Sequence, residues 1–365
     1  MHRTNSPKRL LGIGLCAAVL LTASGCGSTD PNATKGAVAA SKTLAVATYP
    51  GKVETALKEA AKRFEQQTGI RVSVRSDSNY VSQSQVAIDH GNKPPVDMTI
   101  PDGGMVGDLI EGGYLAKIDY DVFEQETLAK LRQEDKGEYS VTTGRLADVL
   151  CYNADKYPDS GPVPETWADY FDVKGFPGTR GMRTWDNTPQ PEFGLLAEGV
   201  PTADLYPIDI DRAVDVIAGI DIAFTPDPAA VLQSLVNGNV SMAPCLYHRV
   251  RDMVEGGAPL AYSINQARLN SSMFVVWDEA VNKDAAMQFI AFLTTPEEQT
   301  AYYETSYVLP VNPEALELLD AEEKERFPTE KNDIFYRDDA WYAATNNDGT
   351  SNFSAIVTAF QEGLQ

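Results

Sequence analysis

The chain has 365 residues, an apolar fraction of 43% and a formal net charge of −22 at pH 7. This acidity argues against a nucleic-acid partner, which would favour a basic patch, and it is compatible with a cationic ligand. The length predicts two lobes rather than a single core.

The N-terminus has the three parts of a secretory signal peptide. Arg3, Lys8 and Arg9 form a basic start, residues 10–21 are an unbroken apolar run, and small residues lead up to Cys26. The apolar run is shorter than the roughly 20 residues that a transmembrane helix needs. We therefore expect residues 1–25 to be removed on export.

The sequence Ala-Ser-Gly-Cys that ends at Cys26 resembles a bacterial lipobox, whose cysteine is lipidated and becomes the mature N-terminus. A plain signal peptide with an unrelated Cys26 is the alternative interpretation. The residues that follow are small, polar and without periodicity, which indicates a flexible tether over residues 26–42. The body would then be held outside the cytoplasm, at the cell membrane, by lipidated Cys26.

After the tether, the hydrophobic pattern alternates between strands and helices. Residues 43–48, 70–74 and 96–100 are predicted strands, and the intervening segments have helical spacing or polar helical character. This alternation predicts an α/β fold with a parallel sheet. Ligands bind such sheets beyond the carboxyl ends of the strands, a rule that selects Tyr49 and Asp102 as binding residues.

Aromatic and acidic residues also mark several loop mouths in the second half of the chain. Trp185 and Asp186 stand at the end of a predicted strand, with Glu192 in the loop after it. Tyr247 follows another strand, and Tyr307 lies just past a predicted helix. Aromatic faces and carboxylates together hold ammonium groups. These residues are candidate ligands for a cation, and core packing is the alternative role for each ring.

Two cysteines remain in the body of the chain. Cys151 and Cys245 lie in the predicted strands 147–152 and 239–246, and a further strand is predicted over residues 272–276. In an oxidising compartment the two cysteines are either a disulfide or two buried thiols that behave as small apolar residues.

Motifs for enzyme chemistry are absent from the sequence. No HExxH, CxxC, GxSxG or GxxxxGK pattern occurs in it. We therefore expect a binding protein without a cofactor or a resident metal.

Several short segments, in their order and spacing, resemble the bacterial spermidine/putrescine-binding proteins, within the larger class of ABC-transporter solute-binding proteins. The resemblance covers most of residues 43–365, and its most recognisable segments are residues 64–70, 96–101, 166–172, 175–178, 235–242, 282–286 and 307–312.

The resemblance implies a two-lobed periplasmic-binding-protein-like (type II) α/β fold with a ligand cleft between the lobes. Residues 43–143 with 249–305 would form lobe one, and residues 146–246 with 308–365 would form lobe two. It also implies a monomer that passes a small solute to a membrane-embedded ABC permease and its ATPase.

A polyamine or another small cation is the ligand that the resemblance implies. Two positions depart from the family pattern. Leu246 stands where a tryptophan would stack on the ligand, and Ser271 or Ser272 stands where a carboxylate would anchor an amine; Ser272 is the candidate ligand residue of the two.

Other ligands and other classes of protein remain as alternatives. Ferric iron would find ligands in Tyr247, His248 and Tyr307, and a phosphonate could be clamped by Arg145 or Arg249. Thiamine is a third alternative ligand. A cell-surface hydrolase or interaction module is the alternative from a different class.

Overall fold

The computed structural model describes residues 43–77, 79–101, 105–184, 190–225, 227–346 and 349–363. The predicted signal peptide, the tether and the lipidation candidate Cys26 lie outside these ranges. Within them, no helix is both long enough and apolar enough to cross a membrane.

The strands form a single mixed sheet. Their bounds are β1 (Thr43–Thr48), β2 (Arg71–Ser76), β3 (Met98–Thr99), β4 (Ser140–Asn153), β5 (Arg180–Arg183), β6 (Ile222–Thr225), β7 (Met242–Leu246), β8 (Leu260–Val276) and β9 (Phe335–Tyr336). The order in the sheet is β2-β1-β3-β8-β4-β7-β5-β6, and β9 pairs with β8. Strand β1 is parallel to β2 and β3, and β5 is parallel to β6 and β7, whereas β4 and β8 are antiparallel.

Helices connect these strands, and the predicted α/β class is confirmed. Their bounds are α1 (Lys52–Thr68), α2 (Tyr80–Asp89), α3 (Val106–Glu111), α4 (Gln125–Lys130), α5 (Trp167–Phe171), α6 (Pro191–Ala197), α7 (Ile210–Ala218), α8 (Pro228–Val236), α9 (Tyr247–Glu255), α10 (Lys283–Leu293), α11 (Pro296–Ser306), α12 (Pro313–Leu318), α13 (Ala321–Arg326), α14 (Asp339–Ala343) and α15 (Asn352–Gly363).

Helix α1 shows how the sequence pattern produces the packing. Leu57 and Phe64 recur at helical spacing, are almost fully buried, and belong to one apolar cluster with β1 and α10. The Phe64 ring lies 5.0 Å from the ring of Phe289 in α10. The helix ends at Gly69, which adopts the left-handed conformation (φ 73°) and donates its N–H to the carbonyl of Glu65.

The centre of the sheet differs from the expectation of parallel strands. Strands β4 and β8 are long and pair with each other along most of their length. The predicted strands 147–152 and 272–276 are only parts of them. Charged and amide side chains inside the two strands, such as Asp148 and Asn270, interrupt the apolar pattern from which strands are predicted.

Three extended segments run side by side around Arg145. Gly144 and Arg145 of β4 pair with Ser272 and Ser271 of β8. On its other side, the backbone N–H of Arg145 donates to the carbonyl of Leu309 at 2.7 Å, and the N–H of Leu309 donates back at 3.0 Å. The sheet therefore narrows here to three adjacent segments.

A glycine is required at this crossing. A Cβ atom on Gly144 would lie 2.6 Å from Cγ1 of Val308, closer than such contacts occur in folded proteins. The pairing of β4 with β8 is also irregular on both sides of the crossing, between residues 142 and 144 and between residues 148 and 150. The crossing is therefore tightly packed yet bounded by breaks in the ladder.

The structure joins Cys151 of β4 to Cys245 of β7 in a disulfide. The two Cα atoms are 6.0 Å apart, and both cysteines are buried. Their strands are antiparallel neighbours, in which Cys151 faces Ala243 and Cys245 faces Val149. The bond therefore ties together two central strands that are 94 residues apart in sequence.

We predict that the mature protein, purified without reductant, has no thiol at residues 151 and 245 that reacts with a thiol reagent after denaturation. Reduction should lower the free energy of unfolding by roughly 2–5 kcal/mol, because the bond constrains a long loop in the unfolded chain. The Cys151→Ala/Cys245→Ala double variant is the control, since reductant should not change its melting temperature. Equal thiol titres with and without reductant would contradict the prediction.

Candidate functional site

A buried group of charges lies beside the end of β5 and the middle of β4. Asp148 of β4 is fully buried, and its two carboxylate oxygens accept hydrogen bonds from Arg183 of β5 and Arg268 of β8, each at 2.9 Å. Asn270 donates to the same carboxylate at 2.9 Å. Burial alone would raise the pKa of Asp148, but the two guanidinium charges lower it to about 2.

Glu192, a predicted ligand residue, belongs to the next layer of this group. It is fully buried in α6, and it accepts hydrogen bonds from Arg268 at 2.9 Å and from Tyr206 and Tyr342 at 2.8 Å. Burial and the nearby Glu192 carboxylate raise the pKa of both tyrosines. The carboxylate of Glu192 is therefore committed to internal partners.

Tyr247, the first residue after β7, and Tyr307, the first residue after α11, come together around a buried arginine. The hydroxyls of Tyr303 and Tyr247 accept hydrogen bonds from Arg251 at 2.7 and 2.9 Å. The Tyr307 ring lies 4.2 Å from the same guanidinium, and its hydroxyl donates to Glu255. Both predicted ligand residues are buried in this cluster. We therefore leave them out of the proposed ligand set.

The remaining predicted residues are spread over several places. Tyr49 follows β1, is half-buried and packs against the apolar cluster of β1 and α1. Ser272 is half-buried at the three-segment crossing. Asp102, Trp185 and Asp186 lie outside the described residues.

Arg145, one of the two arginines considered for a phosphonate, is engaged elsewhere. Its guanidinium forms an ion pair with buried Asp135 and donates to the hydroxyl of Ser271 at 3.2 Å. This arginine therefore stabilises the crossing, and it is not available to a ligand.

Arg249, the other arginine considered, lies in the first turn of α9 and is half-buried. In the part of the chain that the structure describes, its guanidinium makes no hydrogen bond or ion pair. Burial and the charge of Arg183 lower its pKa, and Asp227 counteracts this. The Asp227 carboxylate itself accepts the backbone N–H of Ala229 at 2.8 Å. Arg249 is thus a partly desolvated cation that forms no ion pair among these residues, although the charge of Asp227 acts on it.

His248 precedes Arg249, and its Nδ1 atom is buried. Nδ1 has no hydrogen-bond partner among the described residues. Burial and the charge of Arg249, with a smaller effect from Arg183, lower the pKa of His248 to about 3 despite the nearby carboxylate of Asp148. The ring is therefore neutral at physiological pH.

Charged residues inside predicted strands could have indicated this site from the sequence. Aromatic and acidic residues at the ends of strands do not indicate it. Asp148, Arg183 and Arg268 lie within strands whose neighbouring residues are apolar and buried. Charged side chains are rarely buried unless they are paired. A charge within a predicted buried strand therefore indicates a partner elsewhere in the sequence.

Metal binding has no candidate cluster in the described ranges. No three histidine, cysteine, aspartate or glutamate side chains come together there in a way that could hold an ion. The tyrosine hydroxyls considered for ferric iron, at residues 247 and 307, are hydrogen-bonded to Arg251 and Glu255.

Comparison with known proteins decides the family. Residues 59–329 match the model of the bacterial extracellular solute-binding proteins. The chain belongs to this family. The match confirms the prediction of an extracytoplasmic solute-binding protein rather than an enzyme. A small-molecule solute is therefore its ligand.

Individual relatives bind different ligands. A γ-aminobutyric acid-binding protein of Pseudomonas aeruginosa is 28% identical over 244 residues, which cover 59% of this chain and 68% of that protein. An ABC transporter substrate-binding protein of Bradyrhizobium japonicum has a TM-score of 0.78 at 24% identity, over 88% of this chain and 99% of that one.

Two further solved structures show the range of ligands. The Atu4243 GABA receptor has a TM-score of 0.72 at 26% identity, over 88% of this chain and 98% of that one. The spermidine/putrescine-binding PotD of Streptococcus pneumoniae has a TM-score of 0.68 at 18% identity, over 88% and 99%. The two-lobed fold is therefore shared by binders of an amino acid and of polyamines.

We predict that Asp148→Asn lowers the free energy of unfolding by about 3 kcal/mol, because Arg183 and Arg268 would remain buried without their carboxylate. Urea denaturation followed by circular dichroism measures the change. Asp278→Asn is the matched control: Asp278 pairs with Lys283 at 3.2 Å on the surface, and its loss should cost less than about 1 kcal/mol. Equal stability of the two variants would contradict a structural role for Asp148.

Proposed function

We propose that the solute carried by this protein is an amino acid or a related small molecule with a carboxylate group. The observation that carries the proposal is Arg249, a half-buried guanidinium that makes no hydrogen bond or ion pair among the described residues. Its charge adds to that of Arg183, and both lie beside the neutral ring of His248. An anionic ligand group would compensate this positive charge.

The relatives support the amino-acid class. γ-Aminobutyric acid, the ligand named for the Pseudomonas protein and for the Atu4243 receptor, has a carboxylate at one end and an ammonium group at the other. A ligand of this kind would satisfy the arginine and still use the aromatic and acidic side chains predicted at other strand ends.

A polyamine is the second candidate. It would need carboxylates that are free to bind ammonium groups, and both Asp148 and Glu192 are already paired with arginines. Asp102 and Asp186 stay candidate anchors for an ammonium group, by the rules that selected them from the sequence. An amino acid could use these anchors together with Arg249, whereas a polyamine would leave Arg249 unpaired.

We propose that the lobes close by bending at the three-segment crossing. We also propose one change to the residue ranges expected for the two lobes. Val250 of α9 packs in one apolar cluster with Leu235 and Cys245, and the first half of β8 pairs with the end of β4. Residues 249–270 would therefore move with lobe two. Lobe one would be residues 43–143 with 271–305.

We also propose that Cys26 carries the lipid anchor and that the protein acts as a monomer. The lipobox resemblance and the tether composition support the anchor. A Cys26→Ser variant should lose incorporation of radiolabelled palmitate and leave the membrane fraction. Equal palmitate incorporation in the variant and the wild type would contradict this anchor.

Ligand binding is tested with the mature protein by thermal shift and calorimetry. γ-Aminobutyric acid and putrescine are a matched pair of probes, because both have a four-carbon chain and an amine, and only the former has a carboxylate. We expect γ-aminobutyric acid or another small amino acid to stabilise the protein by about 2.7 kcal/mol at one hundred times its Kd. Putrescine should give no shift.

Small-angle scattering then tests closure, since bound ligand should reduce the radius of gyration. If putrescine or spermidine raises the melting temperature and none of the amino acids tested does, the proposed ligand class is overturned in favour of polyamines.

A further inference from the structure

The first turn of α9 is partly buried and has no side-chain cap. Strand β7 ends at Leu246, and α9 begins at Tyr247, which is fully buried. Leu246 is the N-cap residue, and its apolar side chain accepts no hydrogen bond. The first backbone N–H groups of an α-helix have no partner within the helix, and the helix dipole gives this end a partial positive charge.

Side-chain donors of the same turn point to a ligand independently of the helix start. Nδ1 of His248 is buried without a hydrogen-bond partner among the described residues. The guanidinium of Arg249 has no ion pair or hydrogen bond among them either. A buried polar atom without a partner costs stability unless a ligand or water satisfies it. The Arg249 guanidinium, the backbone N–H groups and, in the tautomer protonated at Nδ1, the His248 ring can therefore all donate to the same acceptor.

The neighbouring strand adds a further cation and no free anion. Leu246 pairs with Asp148 across β7 and β4, so the carboxylate of Asp148 lies close to the start of α9. That carboxylate is already bonded to Arg183 and Arg268. The charge of Arg183 reaches both His248 and Arg249, as the lowering of their pKa values indicates. The Asp148 carboxylate is therefore not available to neutralise the turn. The Asp227 carboxylate, which raises the pKa of Arg249, forms no ion pair with it among the described residues.

We propose that the first turn of α9 is the anion subsite of this binding protein. The backbone N–H groups of residues 247–249, the His248 ring and the Arg249 guanidinium together bind the carboxylate of the solute. This assignment deepens the proposed function and rests on it for the identity of the solute. A carboxylate has two oxygens that accept several hydrogen bonds, which suits this combination of a forked guanidinium and helix N–H groups.

The neutral state of His248 has a place in this subsite. A charged imidazolium beside two guanidinium groups would add repulsion, whereas a neutral ring donates one N–H to the anion without a further buried charge. The subsite thus combines one full charge from Arg249 with neutral donors, and a single carboxylate can match it.

The first test uses sodium acetate as the probe, because acetate is a carboxylate without the rest of the solute. We expect saturable shifts of the backbone amide resonances of residues 247–249 in the mature, isotope-labelled protein. The Arg249→Gln variant should not show them. Arg212→Gln is the matched control, since Arg212 is an exposed arginine on α7 that pairs with Glu198, and it should behave as the wild type.

The second test measures affinity for γ-aminobutyric acid by calorimetry. Arg249→Gln should weaken binding by roughly 10- to 100-fold, in line with the loss of hydrogen bonds to a charged group, and His248→Phe by a smaller factor. The melting temperature of the ligand-free Arg249→Gln variant should be unchanged or higher, because an unpaired, desolvated charge is removed. A purely structural arginine would give the opposite result.

The outcomes separate this inference from the proposed function. If acetate shifts the three amides and γ-aminobutyric acid does not bind, the anion subsite is supported and the proposed solute is wrong. If γ-aminobutyric acid binds equally well to the wild type, Arg249→Gln and His248→Phe, the solute is supported and the subsite assignment is overturned. If neither probe affects residues 247–249, the subsite assignment is also overturned.

Discussion

The interaction on which the site depends is the carboxylate of Asp148 held between two buried arginines. Asp148 comes from β4, Arg183 from β5 and Arg268 from β8, so one carboxylate connects strands on both sides of the sheet centre. A carboxylate placed there without its partners would be strongly destabilising, and the same holds for each arginine. Because each charged group requires the others, the position of Arg183 at the end of β5 is fixed relative to the first turn of α9, which follows β7.

The same arrangement explains why the neighbouring turn stays positive. Asp148 and Glu192 are the buried acidic groups of the network, and their oxygens are used by Arg183, Arg268 and two tyrosines. Neither carboxylate forms an ion pair with Arg249. A fixed, partly desolvated positive group costs the protein stability when no ligand is present, and it becomes favourable when an anion is bound. Binding proteins that must capture dilute solutes benefit from donors that are already oriented in this way.

Particular residues show which parts of the fold and of the site can be predicted from the sequence. The unit from β1 through α1 to β2 follows from local periodicity, and Leu57, Phe64 and Gly69 take the roles that their spacing predicts. The Asp148 network could not be predicted in this way, because Arg183 and Arg268 lie 35 and 120 residues away from Asp148 and only the sheet brings them together. Tyr247 and Tyr307 are aromatic residues that follow predicted elements, and nothing in their local sequence indicates that both contact Arg251. The sequence indicates His248 and Arg249 only as ligand residues for the alternative solutes, iron and a phosphonate. The helix start beside them cannot be predicted without knowing where β7 ends.

The disulfide between Cys151 and Cys245 makes the stability of the site depend on the compartment in which the protein is located. His248 and Arg249 follow Cys245 within four residues, just past the end of β7, and the disulfide ties this strand to β4. Thiols stay reduced in the cytoplasm and are oxidised outside it. The chain therefore lacks this covalent tie in a reducing compartment, and the proposed anion subsite is secured to β4 only in an oxidising one.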